Sequence, residues 1–267
     1  MVGRRRPLVL DLLKTLGVIL WSVTLFSVVG VLRRWDGNPR RSLAMAHHTW
    51  APWILKMTEF EVDLEQESDI DWSRPYFVAS NHQSFLDIPV LFYIVPSNLH
   101  FVVKKELGRV PFLAGYIRNM GMVFVDRRDR ESSIRSIGNA AQMAADGHTI
   151  LLFPEGTRSR DGELGVLKTG MLAAAIESGT PVLPVTLVGT GEGMAPGWIP
   201  RYRPGQVYAR FGSPLPTDHL KIEDRSLLAE QLRDELLRLR SEIHASQVDP
   251  PSGNHSPGST TRRFTAR

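Results

Sequence analysis

The sequence predicts an α/β protein, a central mixed sheet flanked by helices, with a membrane-associated helical segment at its N-terminus. Two patterns point to the layered part. From residue 76 onward, short apolar runs rich in β-branched residues alternate with longer segments of helical period, and such alternation builds layers around a sheet. A third pattern is an uncharged apolar stretch near the N-terminus.

The elements follow in order. Tyr76-Phe77-Val78-Ala79 is a short buried strand. Residues 85–95 form a helix in which Pro89 is tolerated because it sits near the start, where a missing N–H costs little. His100-Phe101-Val102-Val103 is a strand, residues 111–120 a short helix entered through Pro111, and residues 122–125 a strand. Residues 131–146 are an amphipathic helix with Ile134, Ile137, Ala141 and Ala144 on one face; Gly147 stops it. Residues 149–153 are strand, 169–178 helix with Gly179 behind it, and 182–188 and 206–211 strands. Residues 223–245 carry a stripe of Leu228, Leu232, Leu236, Leu239 and Ile243, with Glu, Arg and Asp opposite; this helix packs back on the domain. No internal repeat is present.

At the N-terminus, Arg4-Arg5-Arg6 precede eighteen uncharged residues, 15–32, which Arg33-Arg34 close. That length is the lower edge of a helical bilayer span. It is long for a signal core and lacks a small-residue cleavage site. Basic residues flank both ends, so charge sets no orientation. A second apolar stretch (Leu43, Met45, Ala46, Trp50, Trp53, Ile54, Leu55, Met57) carries tryptophans suited to a lipid interface. One span, or a two-helix hairpin in one leaflet, are both open, with a buried core helix as the plain alternative. After Val248 there is little to bury, so the tail is expected to be disordered. The expected organisation is residues 1–60 membrane-associated helices, 61–246 the α/β domain and 247–267 the tail.

Composition narrows the function. Thirty-two Lys and Arg against 28 Asp and Glu leave a net charge of +4, which favours anionic partners. The basic residues form no aromatic-interleaved patch and no nucleic-acid motif, which argues against nucleic acid. An anionic membrane or a phosphorylated substrate remains. With no cysteine, disulfides, thiolate nucleophiles and Cys-based metal sites are excluded. His47-His48 and His148 lack companions at metal-ligand spacing, so no metal is expected.

The segment Asn81-His82-Gln83-Ser84-Phe85-Leu86-Asp87 is the candidate for acid–base chemistry, although by itself its His82–Asp87 pair is a weak signal. A neutral His is a base near pH 7. A carboxylate bonded to its far ring nitrogen fixes the tautomer and stabilises the imidazolium that forms. His82 ending a strand and Asp87 in the first turn of the next helix allow that contact, although the same spacing also fits capping or surface residues. Ser84 reads as turn or cap chemistry. No serine lies in a Gly-x-Ser-x-Gly elbow, so direct attack by an activated hydroxyl is the economical mechanism.

Three further segments accompany this one: Gly121-Met122-Val123-Phe124-Val125-Asp126-Arg127, Phe153-Pro154-Glu155-Gly156-Thr157-Arg158-Ser159, and Val182-Leu183-Pro184-Val185-Thr186-Leu187. In order and separation, over roughly residues 75–190, the four resemble the motifs of the glycerolipid acyltransferase family, and most of all its 1-acylglycerol-3-phosphate (lysophosphatidic acid) acyltransferases. The resemblance implies transfer of a fatty acyl group from acyl-CoA or acyl-carrier protein to a lysophospholipid hydroxyl, giving phosphatidic acid. His82 is then the base and Asp87 its orienter. Arg127 holds phosphate, and Glu155, Gly156, Thr157 and Arg158 bind the acceptor. Lys105, in a Lys-Glu-Leu segment common in the family, draws phosphate or CoA. The residues themselves agree in part: a guanidinium matches phosphate geometry, and N–H groups at Gly156 and Thr157 suit an anion. A carboxylate repels phosphate, so Glu155 accepts from a substrate hydroxyl or fixes Arg158. The resemblance also implies a membrane location with the active site at the cytoplasmic face, and no cofactor besides the thioester co-substrate. Another lysolipid acceptor, a non-catalytic lipid-binding scaffold and a hydrolase are the competing readings.

Overall fold

The computed structural model describes residues 7–36, 40–67, 69–96, 98–110, 113–126, 129–159, 161–195, 201–248 and 260–264. Three helical pieces open the chain: α1 (Leu8–Asp36), α2 (Arg40–Met45) and, after a π-helical turn (Ala46–Trp50), α3 (Ala51–Thr58). Then come β1 (Phe60–Gln66), β2 (Phe77–Ser80), α4 (Asp87–Ile94), β3 (Leu99–Lys104), α5 (Leu113–Asn119), β4 (Val123–Val125) and α6 (Arg130–Ala145). The rest is β5 (Thr149–Leu152), α7 (Gly170–Ser178), β6 (Val182–Val188), α8 (Thr190–Gly193), β7 (Met194–Ala195), β8 (Arg201–Tyr202), β9 (Gly205–Phe211), α9 (Arg225–Val248) and β10 (Thr260–Phe264).

Eight strands form one sheet in the order β10-β1-β9-β6-β2-β5-β3-β4. From β6 to β4 all neighbours are parallel. β9 runs antiparallel to β6, β1 parallel to β9 and β10 antiparallel to β1. The sheet is therefore mixed, and the α/β class expected from alternation holds. Buried side chains fall into two apolar clusters, one on each face. Val78, Leu151, Leu183 and Val185 point to the face covered by α2 to α5. Phe77, Ala79, Ile150 and Leu152 point to the face covered by α6, α7 and α9. Successive strand residues face opposite ways, so strands covered on both faces read as continuous apolar runs. All five stripe residues of α9 are buried.

Four details depart from the sequence reading. β1 was not anticipated, although Phe60, Val62 and Leu64 alternate with charged residues and are buried. Trp50 and Trp53, read as interfacial, pack on α1 instead: Trp53 stacks on Trp21 at 4.8 Å and the Trp50 indole N–H donates to Ser22 Oγ at 3.0 Å. The second apolar stretch is thus a core element, with Leu43, Ala46, Ile54 and Leu55 buried. In α6, Ile134 is exposed. Hydroxyls of Ser133 and Ser136 bond the carbonyls of Asp126 and Phe124, which sets the inner face and turns Ile134 outward. The end of the expected disordered tail is a strand, β10, which pairs along the otherwise open edge of β1.

Candidate active site

The residues singled out in the sequence converge because they leave the same end of the sheet. His82 follows β2, Lys105 follows β3, Asp126 follows β4 and residues 153–159 follow β5, and these four strands are parallel. In open α/β sheets the crevice beyond the carboxyl ends of parallel strands is where ligands bind.

Asn81 is the first residue beyond β2. Its side chain accepts the Leu187 N–H at 2.8 Å and donates to the Leu187 carbonyl at 2.9 Å, pinning this end of β2 to β6. His82 comes next. Its Nδ1–H donates to Asp87 Oδ2 at 2.7 Å. The same oxygen accepts the N–H groups of Gln83 at 2.7 Å and Ser84 at 2.9 Å. Asp87 is the first residue of α4 and fully buried, so three donors hold a carboxylate that cannot swing into water. Ser84 Oγ accepts the Leu86 N–H at 3.3 Å, the turn role expected of it. The His82 ring stacks on Phe153, with centroids 3.9 Å apart and planes 16° off parallel. With Nδ1 committed to Asp87, Nε2 is the nitrogen left for a substrate proton.

His82 lines a cleft of about 860 Å³, within the size range of small-molecule sites. Its walls are largely apolar, with Phe101, Val103, Ile137, Leu152 and Met171 among them, while Lys104, Arg158 and Lys168 bring positive charge. Such a cleft accepts a molecule with an apolar tail and an anionic head.

The predicted binding residues divide. Arg158 lines the cleft, its guanidinium 4.0 Å above the Phe85 ring, a cation–π contact that holds the side chain in place. Thr157 also lines the cleft and is exposed. Gly156 does not offer its N–H to an anion as expected: it adopts φ 73° and donates to the Phe153 carbonyl at 2.9 Å, closing the turn. Glu155 is buried, and both its oxygens are taken by backbone N–H groups, Oε1 by His82 at 3.0 Å and Oε2 by Gly165 at 2.9 Å. It neither fixes Arg158 nor faces a substrate hydroxyl freely. Lys105 Nζ pairs with Asp126 Oδ2 at 3.2 Å, and its neighbour Lys104 is the one on the cleft wall. Arg127 lies outside the described residues.

Sequence reasoning missed Lys168, Asn81 and the stacking role of Phe153. Lys168 reaches the cleft because its N–H donates to the Pro154 carbonyl at 2.8 Å, folding residues 161–169 back over the turn; no spacing announces that. Asn81 was within reach, as a polar residue ending an apolar strand beside the His.

Comparison with known proteins agrees with this geometry. Residues 61–188 match a family model described as acyltransferase. A 1-acyl-sn-glycerol-3-phosphate acyltransferase of Chlamydomonas reinhardtii is 34% identical over 174 residues, 64% of this chain and 52% of that protein. One of Saccharomyces cerevisiae is 32% identical over 64% of this chain and 57% of its own length. The chain thus spans little more than half of these relatives. The crystal structure of the 1-acyl-sn-glycerophosphate (LPA) acyltransferase PlsC of Thermotoga maritima superposes with a TM-score of 0.74 at 26% identity, covering 88% of this chain and 96% of that one. The matched residues, 61–188, span β1 to β6 and the His82–Asp87 pair, so in sequence and fold this part of the chain is similar to acyltransferase-family domains.

Proposed function

We propose that this chain is a membrane-associated O-acyltransferase. It moves a fatty acyl group from a thioester, acyl-CoA or acyl-carrier protein, to the free hydroxyl of 1-acyl-sn-glycerol-3-phosphate, giving phosphatidic acid. The observation that carries this reading is the His82 Nδ1–Asp87 Oδ2 bond of 2.7 Å beside an apolar cleft with cationic side chains. His82 Nε2 takes the hydroxyl proton as the oxygen attacks the thioester carbonyl. The imidazolium, held by Asp87, then returns the proton to the departing thiolate. No enzyme nucleophile enters, and no metal or cofactor is needed besides the thioester. Arg158, with Arg127 carried over from the family resemblance, serves the acceptor phosphate. The relatives' activity as acyltransferases for 1-acyl-sn-glycerol-3-phosphate supports that acceptor.

The test is acyl transfer by the purified protein against a panel of lysolipids with radiolabelled acyl-CoA and acyl-carrier protein. Lysophosphatidate is expected to be the preferred acceptor, and His82→Ala to abolish transfer while the protein stays folded. A His82→Ala protein with near-normal turnover refutes the mechanism, and a preferred lysolipid without a phosphomonoester refutes the acceptor.

The membrane reading rests on α1. Residues Leu8–Leu32 have a mean hydropathy of 2.2 over their most apolar window, and Leu12, Leu16, Ile19, Leu20 and Val31 are exposed. The opposite side is fastened to the domain: Asp11 pairs with Arg201 at 3.2 Å, Lys14 with Glu59 at 2.5 Å, and Phe26 stacks on Tyr116. A helix bound along its side fits attachment within one leaflet better than a free span; the cytoplasmic face for the cleft is carried over from the family resemblance. Replacing Leu16 and Leu20 by Glu should release the chain from vesicles; undiminished binding counts against α1 as the anchor.

A further inference from the structure

Glu155 is a buried carboxylate at the centre of the site, 6% exposed, that the proposed reaction leaves unused. Its two oxygens accept backbone N–H groups from two different segments, His82 at 3.0 Å and Gly165 at 2.9 Å. A substrate hydroxyl would have to displace one of these bonds. The same turn grips His82 twice more. The Ser159 N–H donates to the His82 carbonyl at 2.7 Å, and Phe153 lies against the ring. Gly165 is held from behind, because Arg233 of α9 donates to the carbonyls of Leu164 at 3.0 Å and Gly165 at 2.5 Å. Glu155 therefore sits between the His82 backbone and a segment anchored to the longest helix of the α/β layer.

We infer that Glu155 is a positioning residue for His82 and not a ligand of the acceptor. This rests on His82 being the base. Asp87 sets the rotation of the imidazole, but the place of the His82 backbone, and so of Nε2, is set by its N–H and carbonyl bonds. A carboxylate suits the task because two N–H groups converge on it and it offers only acceptors. Glutamine offers one acceptor oxygen and an NH₂ group, so one of the two backbone donors would face another donor and the loop would have to shift. A displacement of about 1 Å at a reacting group costs roughly a hundredfold in rate.

The experiment uses the full chain in detergent micelles, with rates referred to folded protein measured by circular dichroism. Two acceptors are compared: lysophosphatidate and its analogue with a thiol in place of the free hydroxyl. The thiol ionises readily and depends little on a base. Glu155→Gln is expected to lower kcat about 30- to 100-fold with lysophosphatidate, leave both KM values within about twofold, and lower the thiol reaction less than about fivefold. Gly165→Ala keeps the charge but puts a Cβ 3.2 Å from Glu155 Oε2, and should show the same pattern at about fivefold. A tenfold rise in lysophosphatidate KM with kcat retained makes Glu155 an acceptor ligand and overturns the inference. Equal losses with both acceptors make its role merely structural and also overturn it. If Glu155→Gln does not fold, Gly165→Ala decides, and an unchanged kcat counts against positioning. His82→Ala run alongside separates the two readings. Retained activity there removes the base itself, whereas its loss beside an unaffected Glu155→Gln removes only the positioning role.

Discussion

Asp87→Asn is the sharpest probe of the site, because it changes one buried atom and leaves the shape. Asp87 Oδ2 receives the Nδ1–H of His82 and two backbone N–H groups. In the variant, the amide oxygen can take the place of Oδ2 and keep all three bonds, which preserves both the loop and the tautomer. The amide NH₂ then replaces Oδ1, a buried atom with no hydrogen-bond partner among the described residues. The change that remains is the lost charge beside the imidazolium that forms. With the imidazolium and carboxylate centres roughly 4 Å apart and an effective dielectric of about 20, their attraction is about 4 kcal/mol. That is a factor of about a thousand in rate. The assay is single-turnover transfer of labelled acyl-CoA to saturating lysophosphatidate in micelles, with folding checked by circular dichroism. The expected result is a kcat lower by about three orders of magnitude with little change in either KM. A folded Asp87→Asn protein within about tenfold of the parent rate would mean that His82 does not act as a base oriented by Asp87, and the reasoning fails.

Two other outcomes follow from neighbouring features. Arg158→Ala removes a guanidinium that Phe85 holds over the cleft; a charge-assisted bond to phosphate is worth about 1.5–3 kcal/mol, so KM for lysophosphatidate should rise about ten- to a hundredfold in steady-state kinetics while the thioester KM moves little. The opposite end of the sheet predicts a pH dependence of stability. His100 is buried and its imidazole is pushed down to about 4 by burial, with His148 beside it adding to the shift. Because the folded pKa lies below the unfolded value of about 6.5, the unfolded chain takes the proton first, so stability is complete above about 6.5 and falls as pH drops toward 4. The linkage amounts to about 2 kcal/mol at pH 5. Urea titrations at pH 7.5 and pH 5 should show that much less loss in His100→Leu than in the parent; equal losses would show that His100 does not carry the effect.

Most of the fold was legible because burial leaves a periodic trace. β2, β5 and β6 are buried on both faces and read as apolar runs; α9 is buried on one face and shows it every third or fourth residue. The errors occurred where a neighbour, unseen in one dimension, took over a surface. Trp50 and Trp53 have the chemistry of lipid-facing residues, but α1 lies against them. β1 was overlooked because its alternation of Phe60, Val62 and Leu64 with acidic residues is short and follows a helix.

The sequence by itself determined which residues could do chemistry. His82 and Asp87 lie only five positions apart, so one turn of chain brings them together, and the lack of cysteine and of a nucleophile elbow leaves an acyl-enzyme route without an obvious nucleophile. It also determined which segments accompany them, through order and separation. What those segments do to one another was decided only by the tertiary structure. Glu155 and His82 are 73 positions apart, and their contact exists because β2 and β5 are parallel neighbours whose carboxyl ends share one crevice. That adjacency places Phe153 under the imidazole and Glu155 on the His82 N–H, and it gives the Gly156 N–H to a turn carbonyl in place of an anion. Hydrogen bonds are satisfied by whichever partner the fold brings within reach, and no local pattern in the chain records that choice.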